Sequence, residues 1–363
     1  LYQVRPAGNG THSIREIDQS AFPQEDCAPP IETQDSEGFE PQTLLPTQDF
    51  ADDATIIDVM VVYTQDAANA SFNIGAEIQL AVDETNQSYI SSGINPRIRL
   101  AHTAQVTYTE TGSMSTDVSR LKIPSDGYMD DVHTLRNQYG ADMVALIVEN
   151  GGAYCGIAYA IMSVVSPSFE DKAFCVVARD CATGYYSFGH ELGHLQSARH
   201  DWFVDPTDNS PFTYNHGYVS PMLNWRTVMA YGNACYGCTR IQYWSNPNVF
   251  YSGLPMGIPE GQFQAADNRK TLNNTALTVA NFRQSEQPSF VDVPPGFWAE
   301  VYIYAIFNEG ITKGCSSNPM LYCPEEAVTR DQMAAFIVRA VEGEPPATYC
   351  DTGSPFSDVL PSS

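Results

Sequence analysis

Gly189-His190-Glu191-Leu192-Gly193-His194-Leu195-Gln196-Ser197-Ala198-Arg199-His200-Asp201 is the stretch whose reading decides the fold. On a helix His190 and His194, four residues apart, share one face, so their imidazoles can grip a single tetrahedral ion. Glu191 follows the first of them and can hold a water at that ion without ligating it. Phe188, Leu192 and Leu195, at four-then-three spacing, give the same helix an apolar stripe for the core. His200 lies past the expected helix end and needs a chain reversal to return as a third ligand. Three protein ligands leave the fourth position to water, the pattern of a catalytic rather than a structural zinc.

A bare H-E-x-x-H arises by accident in unrelated helices; a third histidine and a following methionine narrow the reading. With these residues the chain resembles the metzincin metallopeptidases, whose pattern is H-E-x-x-H-x-x-G-x-x-H and then a Met-turn. The resemblance implies that His190, His194 and His200 hold zinc and that Glu191 is the general base. It also implies that Met229, in Thr227-Val228-Met229-Ala230-Tyr231-Gly232, floors the metal. Asp201 resembles the reprolysin branch. The runs Phe188 to Trp202, Trp225 to Tyr231 and Cys238 to Pro247 are most similar to bacterial peptidyl-Asp metalloendopeptidases. That similarity implies cleavage on the amino side of Asp or Glu. Tyr231 resembles the tyrosine that ligates zinc in astacins and serralysins, with a plain core tyrosine as the alternative. One letter departs: the family's turn glycine is Ser197, which is strained if that position needs a positive φ.

An acidic side chain buried in a prime-side pocket calls for a cation, best a bidentate guanidinium. The candidates are Arg240, just past the Met-turn, and Arg226, just before it; either reads equally as a structural ion pair. Gly156-Ile157-Ala158-Tyr159-Ala160 resembles the edge strand that metzincins lay beside the cleft, whose free backbone groups take substrate as an added strand. An interior strand is the alternative. His12, His102, His133 and His216 lack ligand spacing and read as surface or hydrogen-bonded residues.

Bulk properties bound the rest. At 363 residues the chain can hold one sizeable core and a smaller module. A net charge of -25 weighs against nucleic acid and anionic membranes as partners. It fits either solubility in a salty medium or bound cations such as Ca2+. No apolar run approaches the roughly 20 residues of a membrane span. Nine cysteines fit a disulfide-forming compartment, so the expected location is secreted, extracellular or cell-surface associated. Leu1 is not an initiator Met, and a processed N-terminus is the expectation.

The expected fold class is α+β: a metzincin catalytic domain, with a twisted mixed sheet, helices and a zinc cleft, plus a small helical module. Residues 1–53 read as a pro-segment tail and linker, with strands flanking Asn9-Gly10 in a hairpin. Cys27 lies in this tail. A thiolate there could displace the catalytic water, as in cysteine-switch prodomains, or could bridge to a cysteine such as Cys155. Residues 54–284 read as the peptidase domain. Strands are expected at Ile56–Tyr63, Arg97–Tyr108 and Met143–Val148, and helices from Ile74 to Tyr89, over Met129–Gln138 and from Asp267 or Asn268. Cys235-x-x-Cys238 reads as a local bridge or as two separate bridges, and Cys175 with Cys181 as another short-range candidate.

Residues 285–343 resemble an S-layer homology repeat, with Phe290-Val291-Asp292-Val293 and Thr329-Arg330-Asp331-Gln332-Met333 as its signature. One helix should carry Trp298, Tyr302, Ala305 and Ile306 on one face, and the next Met333, Phe336, Ile337 and Ala340. Cys315 and Cys323 can staple the loop between. Residues 344–363 restart the pattern at Phe356-Ser357-Asp358-Val359, so a longer product is expected, and the resemblance implies cell-envelope polysaccharide as a partner. The reading is a secreted zinc endopeptidase acting on protein or peptide substrates through a metal-activated water. The competing readings are a non-catalytic surface-binding protein with a relic metal site and a zymogen held latent by Cys27.

Overall fold

The computed structural model describes residues 2–6, 11–22, 31–32, 56–162, 165–207, 210–283, 290–294, 297–308, 310–317 and 319–343. The chain divides into two compact units, Leu1–Gln287 and Pro288–Ser363. The hairpin strands β1 (Tyr2–Pro6) and β2 (His12–Glu16) pair antiparallel as the Asn9-Gly10 signal predicts. They belong to the larger unit, and the second unit begins three residues later than the sequence suggests.

The larger unit is built on a six-stranded mixed sheet in the order β3-β7-β8-β6-β4-β5. These strands are β3 (Ile31–Glu32), β4 (Ile56–Tyr63), β5 (Arg97–Gln105), β6 (Met143–Val148), β7 (Gly156–Ala160) and β8 (Phe174–Ala178). β4 and β6 read as near-continuous Val/Ile/Met runs because parallel strands covered on both faces have no polar side. β8 also joins β6 in parallel, whereas β7 runs antiparallel to β8. The sequence reading missed β8, whose five apolar residues are too short to show a period.

Helices α1 (Gln65–Ala70), α2 (Ile74–Ser92), α3 (Met114–Lys122) and α4 (Asp131–Tyr139) follow in the first half of this unit. α2 begins where the Asn73 side chain accepts the N–H of Ala76, and it ends at Gly93 with φ 69°. Its buried side repeats at helical spacing through Ala81, Thr85, Ser88, Tyr89 and Ser92. The small residues on that side let another helix approach closely. α5 (Arg179–Ala182) leads into that helix, α6 (Ser187–His194), every residue of which is buried. A Cβ on Gly189 would meet Thr85 Oγ1 at 3.0 Å, and one on Gly193 would meet the Trp244 ring at 2.6 Å. Trp244, itself fully buried, donates from Nε1 to Ser88 Oγ at 2.8 Å. α6 is thus clamped between α2 and the later chain; truncating Trp244 to Ala would cost about 3–5 kcal/mol.

The later chain adds β9 (Trp225–Arg226) parallel to β10 (Thr239–Arg240) and β11 (Asn246–Tyr251) antiparallel to β12 (Leu254–Met256). It closes with α7 (Asn268–Val279), capped by the Asp267 side chain as expected. Disulfides join Cys155 to Cys181 and Cys235 to Cys238. The suggested Cys175–Cys181 and Cys27–Cys155 pairings are therefore corrected. Cys175 lies on β8 opposite Ala158, buried as a free thiol, while Cys181 on α5 faces Cys155 across 5.5 Å between Cα atoms. Cys27 and Cys350 lie outside the described residues.

In the second unit α8 (Glu300–Asn308) packs Ile303 with Phe290 and Val293. The face predicted from Trp298 and Tyr302 is exposed instead, because the Phe290 cluster engages Ile303, Tyr304 and Phe307. The short strands β13 (Ser316–Ser317) and β14 (Met320–Leu321) frame the Cys315–Cys323 bridge. α9 (Arg330–Glu342) opens with a complete capping box between Thr329 and Gln332 and keeps Met333 and Ile337 exposed. No described helix is long and apolar enough to cross a membrane.

Candidate metal centre

α6 presents His190, Glu191 and His194 beneath β7, and the turn after it brings back His200. That turn is a Schellman closure: Ser197 N–H donates to His194 O and Ala198 N–H to Gly193 O. Its left-handed residue is Ser197, with φ 74°, where the family pattern has glycine. The strain conditional on a positive φ is therefore present. The Asn215 side chain holds the Ser197 carbonyl at 2.8 Å. Arg199 then pairs with His216, its N–H donating to Asn215 O and its carbonyl accepting from Gly217 N–H. The Arg199 guanidinium forms a buried bidentate pair with Asp205, at 2.8 and 3.2 Å. His216, between the carbonyls of His200 and Thr207 at 2.8 and 2.7 Å, fixes the peptide of the third histidine.

The three imidazoles converge. His200 Nε2 lies 2.9 Å from His194 Nε2 and 3.2 Å from His190 Nε2. His190 Nδ1 faces Val228 O at 2.9 Å and His194 Nδ1 faces Ala198 O at 2.8 Å. Carbonyl oxygens only accept, so both Nδ1 atoms carry the hydrogen and both Nε2 atoms point a lone pair inward. At most one N–H can then lie among the three inward nitrogens, and it can bridge only one pair. A cation satisfies all three. Tetrahedral zinc with ligands at about 2.0–2.1 Å would set its nitrogens about 3.3–3.4 Å apart, close to the observed spacing. Burial first, then neighbouring positive groups, holds His190 and His200 well below the ordinary histidine pKa. Burial pushes His194 down to about 4. Neutral imidazoles are what a metal requires, and the residues fit a three-histidine zinc.

Met229 is fully buried, its sulfur 3.0 Å from where a Cβ on Gly193 would stand, which sets it against α6 between the first two histidines. Tyr231 places its ring 4.2 Å from that of His200. Arg226 donates from Nε to Ala230 O and from Nη2 to Tyr185 Oη, both at 2.9 Å, and from Nη1 to Cys238 O. These bonds make it a clamp on the Met-turn, in line with the structural alternative to a substrate cation. Arg240 is also buried, with its guanidinium 4.5 Å over the Tyr185 ring, and its charge lowers the pKa of both His190 and His200.

β7, read as a substrate edge with an interior strand as the alternative, is paired with strands on both sides. Ile157 and Ala158 of β7 pair inward with β8, and outward Tyr159 and Ala160 pair in parallel with Ile31 and Glu32. Gln19 brackets Arg240, accepting its N–H at 2.7 Å and donating to its carbonyl at 3.0 Å. Phe22 stacks on Tyr185 with centroids 4.5 Å apart, and Ile17 packs on Gly184. No local sequence signal could have shown this docking, which joins residues more than 100 positions apart. A second grouping of metal-type ligands, Asp292 with Cys315 and Cys323, is already committed. Its sulfurs are bonded to each other, and Asp292 accepts the N–H groups of Tyr322 and Cys323.

Comparisons with known proteins agree with this geometry. Residues 53–245 match a family model described as metallo-peptidase family M12, reprolysin type. A peptidyl-Asp metalloendopeptidase of Xanthomonas campestris pv. campestris is 43% identical over 297 residues, covering 78% of this chain and 65% of the relative. The chain thus spans just under two thirds of that relative's length. A protein of the same name from Pseudomonas fragi is 38% identical over 201 residues, covering 55% of this chain and all of the relative. With a family model over more than half its length and a three-histidine cage in place, the chain belongs to metallo-peptidase family M12.

Proposed function

We propose that the protein is a secreted zinc endopeptidase. The observation that carries the reading is the convergence of three buried imidazoles, two with fixed tautomers, on one point beside Glu191. Bound zinc supplies a Lewis-acidic charge that acidifies water and polarises a carbonyl. Glu191, in the same turn as the first ligand, takes the water's proton and returns it to the leaving amine. The Tyr231 ring keeps His200 in register, and Met229 packs against α6 at Gly193. Arg240 gives the prime side a buried cation for an Asp or Glu side chain, in keeping with the name borne by the relatives. Three disulfides suit an oxidising compartment. The C-terminal unit is read as a module for cell-envelope polysaccharide.

The test is digestion of a denatured protein with mass-spectrometric mapping of the cuts. Cleavage before acidic residues, abolished by chelator and by Glu191→Ala with zinc retained, is expected. A zinc-loaded chain that cuts nothing, even after its N-terminal segment is removed, would overturn the reading.

A second reading concerns latency. Residues 31–32 cover the outer edge of β7, and Gln19 and Phe22 sit on Arg240 and Tyr185. These contacts support a chain held inactive by its own N-terminal segment. Equal turnover before and after removal of residues 1–53 would refute this, and unchanged latency in Cys27→Ala would exclude the thiol.

A further inference from the structure

Gly156 opens β7, and its backbone lies outside the left-handed region, so its conformation does not call for glycine. What calls for glycine is a neighbour. A Cβ at Gly156 would fall within 2.7 Å of Glu191 Cγ and Cδ, and closer still to Oε1. The other tight glycines of this region meet packing groups: Gly193 meets the Trp244 ring and Gly217 the backbone at Met229. Gly156 meets the carboxylate between the metal ligands.

The strand has little room to retreat. Gly156 is in register with Val177 of β8, and Ala178 N–H donates to the Cys155 carbonyl at 2.8 Å. Cys155 is bonded to Cys181 on α5, the helix that leads towards α6. β7 is therefore pinned from two sides directly beside Gly156. Glu191, fully buried on a helix that is itself clamped by Thr85 and Trp244, has only its side-chain torsions with which to yield.

We propose that Gly156 is a positioning residue: its missing side chain lets the Glu191 carboxylate lie against β7 and so sets where that carboxylate stands beside His190 and His194. This assigns Gly156 to the acid–base group, not to the substrate backbone. It rests on the reading of Glu191 as the base, and the experiment separates the two.

The test is a cycle of Gly156→Ala and Glu191→Ala in the full chain, read by thermal unfolding, zinc content and turnover. In the parent, Gly156→Ala is expected to lower the unfolding midpoint and cut kcat about a hundredfold, with KM and zinc content little changed, since a displacement near 1 Å costs that much. In the Glu191→Ala chain the same substitution should leave the midpoint unmoved, because the group it strikes is gone. In a Glu191→Asp chain, whose carboxylate is one methylene shorter, Gly156→Ala should cost less than tenfold in kcat. An equal loss of midpoint with and without the Glu191 side chain would make Gly156 a mere strand residue and overturn the proposal. So would an unchanged kcat in Gly156→Ala. If Gly156→Ala fails to fold beside Glu191, the Glu191→Ala pair still decides by whether it folds. Turnover retained in Glu191→Ala alone would instead sink the reading of the base and leave the contact standing.

Discussion

Asp201 accepts the backbone N–H of Tyr231 on Oδ2 at 2.8 Å, tying the residue after the third histidine to the segment that follows Met229. Its other oxygen accepts Phe203 N–H at 3.0 Å. Two separate stretches that build the metal centre are thereby one hydrogen-bonded piece. Burial raises the Asp201 pKa, opposed by these N–H donors. Asp201→Ala leaves the Tyr231 N–H buried and without its acceptor, at a cost of about 1–3 kcal/mol. Weaker zinc retention in a chelator competition, with a lower unfolding midpoint, is expected. Unaltered zinc affinity would show that His200 is held without it.

Ser197 offers the opposite sign. A non-glycine residue at φ 74° in a Schellman turn stores about 1–2 kcal/mol. Its Oγ is also buried with no hydrogen-bond partner among the described residues. Ser197→Gly should raise stability in denaturant titration by about 1 kcal/mol after the entropic cost of glycine. A loss of stability would mean that the hydroxyl is used.

Metal removal should expose a pH dependence. In the metal-free fold the three ligands have pKa values below that of an unfolded histidine, about 6.5, and His194 is near 4. Between those values the unfolded chain binds protons that the folded chain does not, so stability falls as pH falls through this window. It is constant above the upper end. For His194 alone the full loss is on the order of 3 kcal/mol. The unfolding midpoint of chelated protein should drop between pH 6.5 and 4; a flat profile would contradict the burial of neutral rings.

The two arginines near the Met-turn should part company. Arg226→Ala removes bonds to Ala230 O and Tyr185 Oη, so its effect is a lower unfolding midpoint. Arg240→Ala should lower kcat/KM at sites with an acidic prime-side residue by tenfold or more, relative to sites without one. Persistence of the acidic preference in Arg240→Ala would remove Arg240 from the pocket.

The legible parts of this protein were those written at helix or strand period. His190 and His194 share a face because 3.6 residues make a turn, and β4 and β6 announced themselves as unbroken apolar runs. Disulfide choice was not legible, since Cys181 is nearer in sequence to Cys175 than to Cys155 yet faces the latter. Nor was the fate of β7, whose outer edge is covered by two residues about 125 positions earlier in the chain.

Helical spacing put His190, His194 and the apolar stripe of α6 on their faces, and the resemblance to a family pattern added His200 and the bend at Ser197, because each depends on neighbours within a turn or two. Only the tertiary structure decided which arginine clamps the Met-turn, which glycine lies under Glu191 and what covers β7. Those are meetings of segments far apart in the chain, fixed by packing, and no local period encodes them.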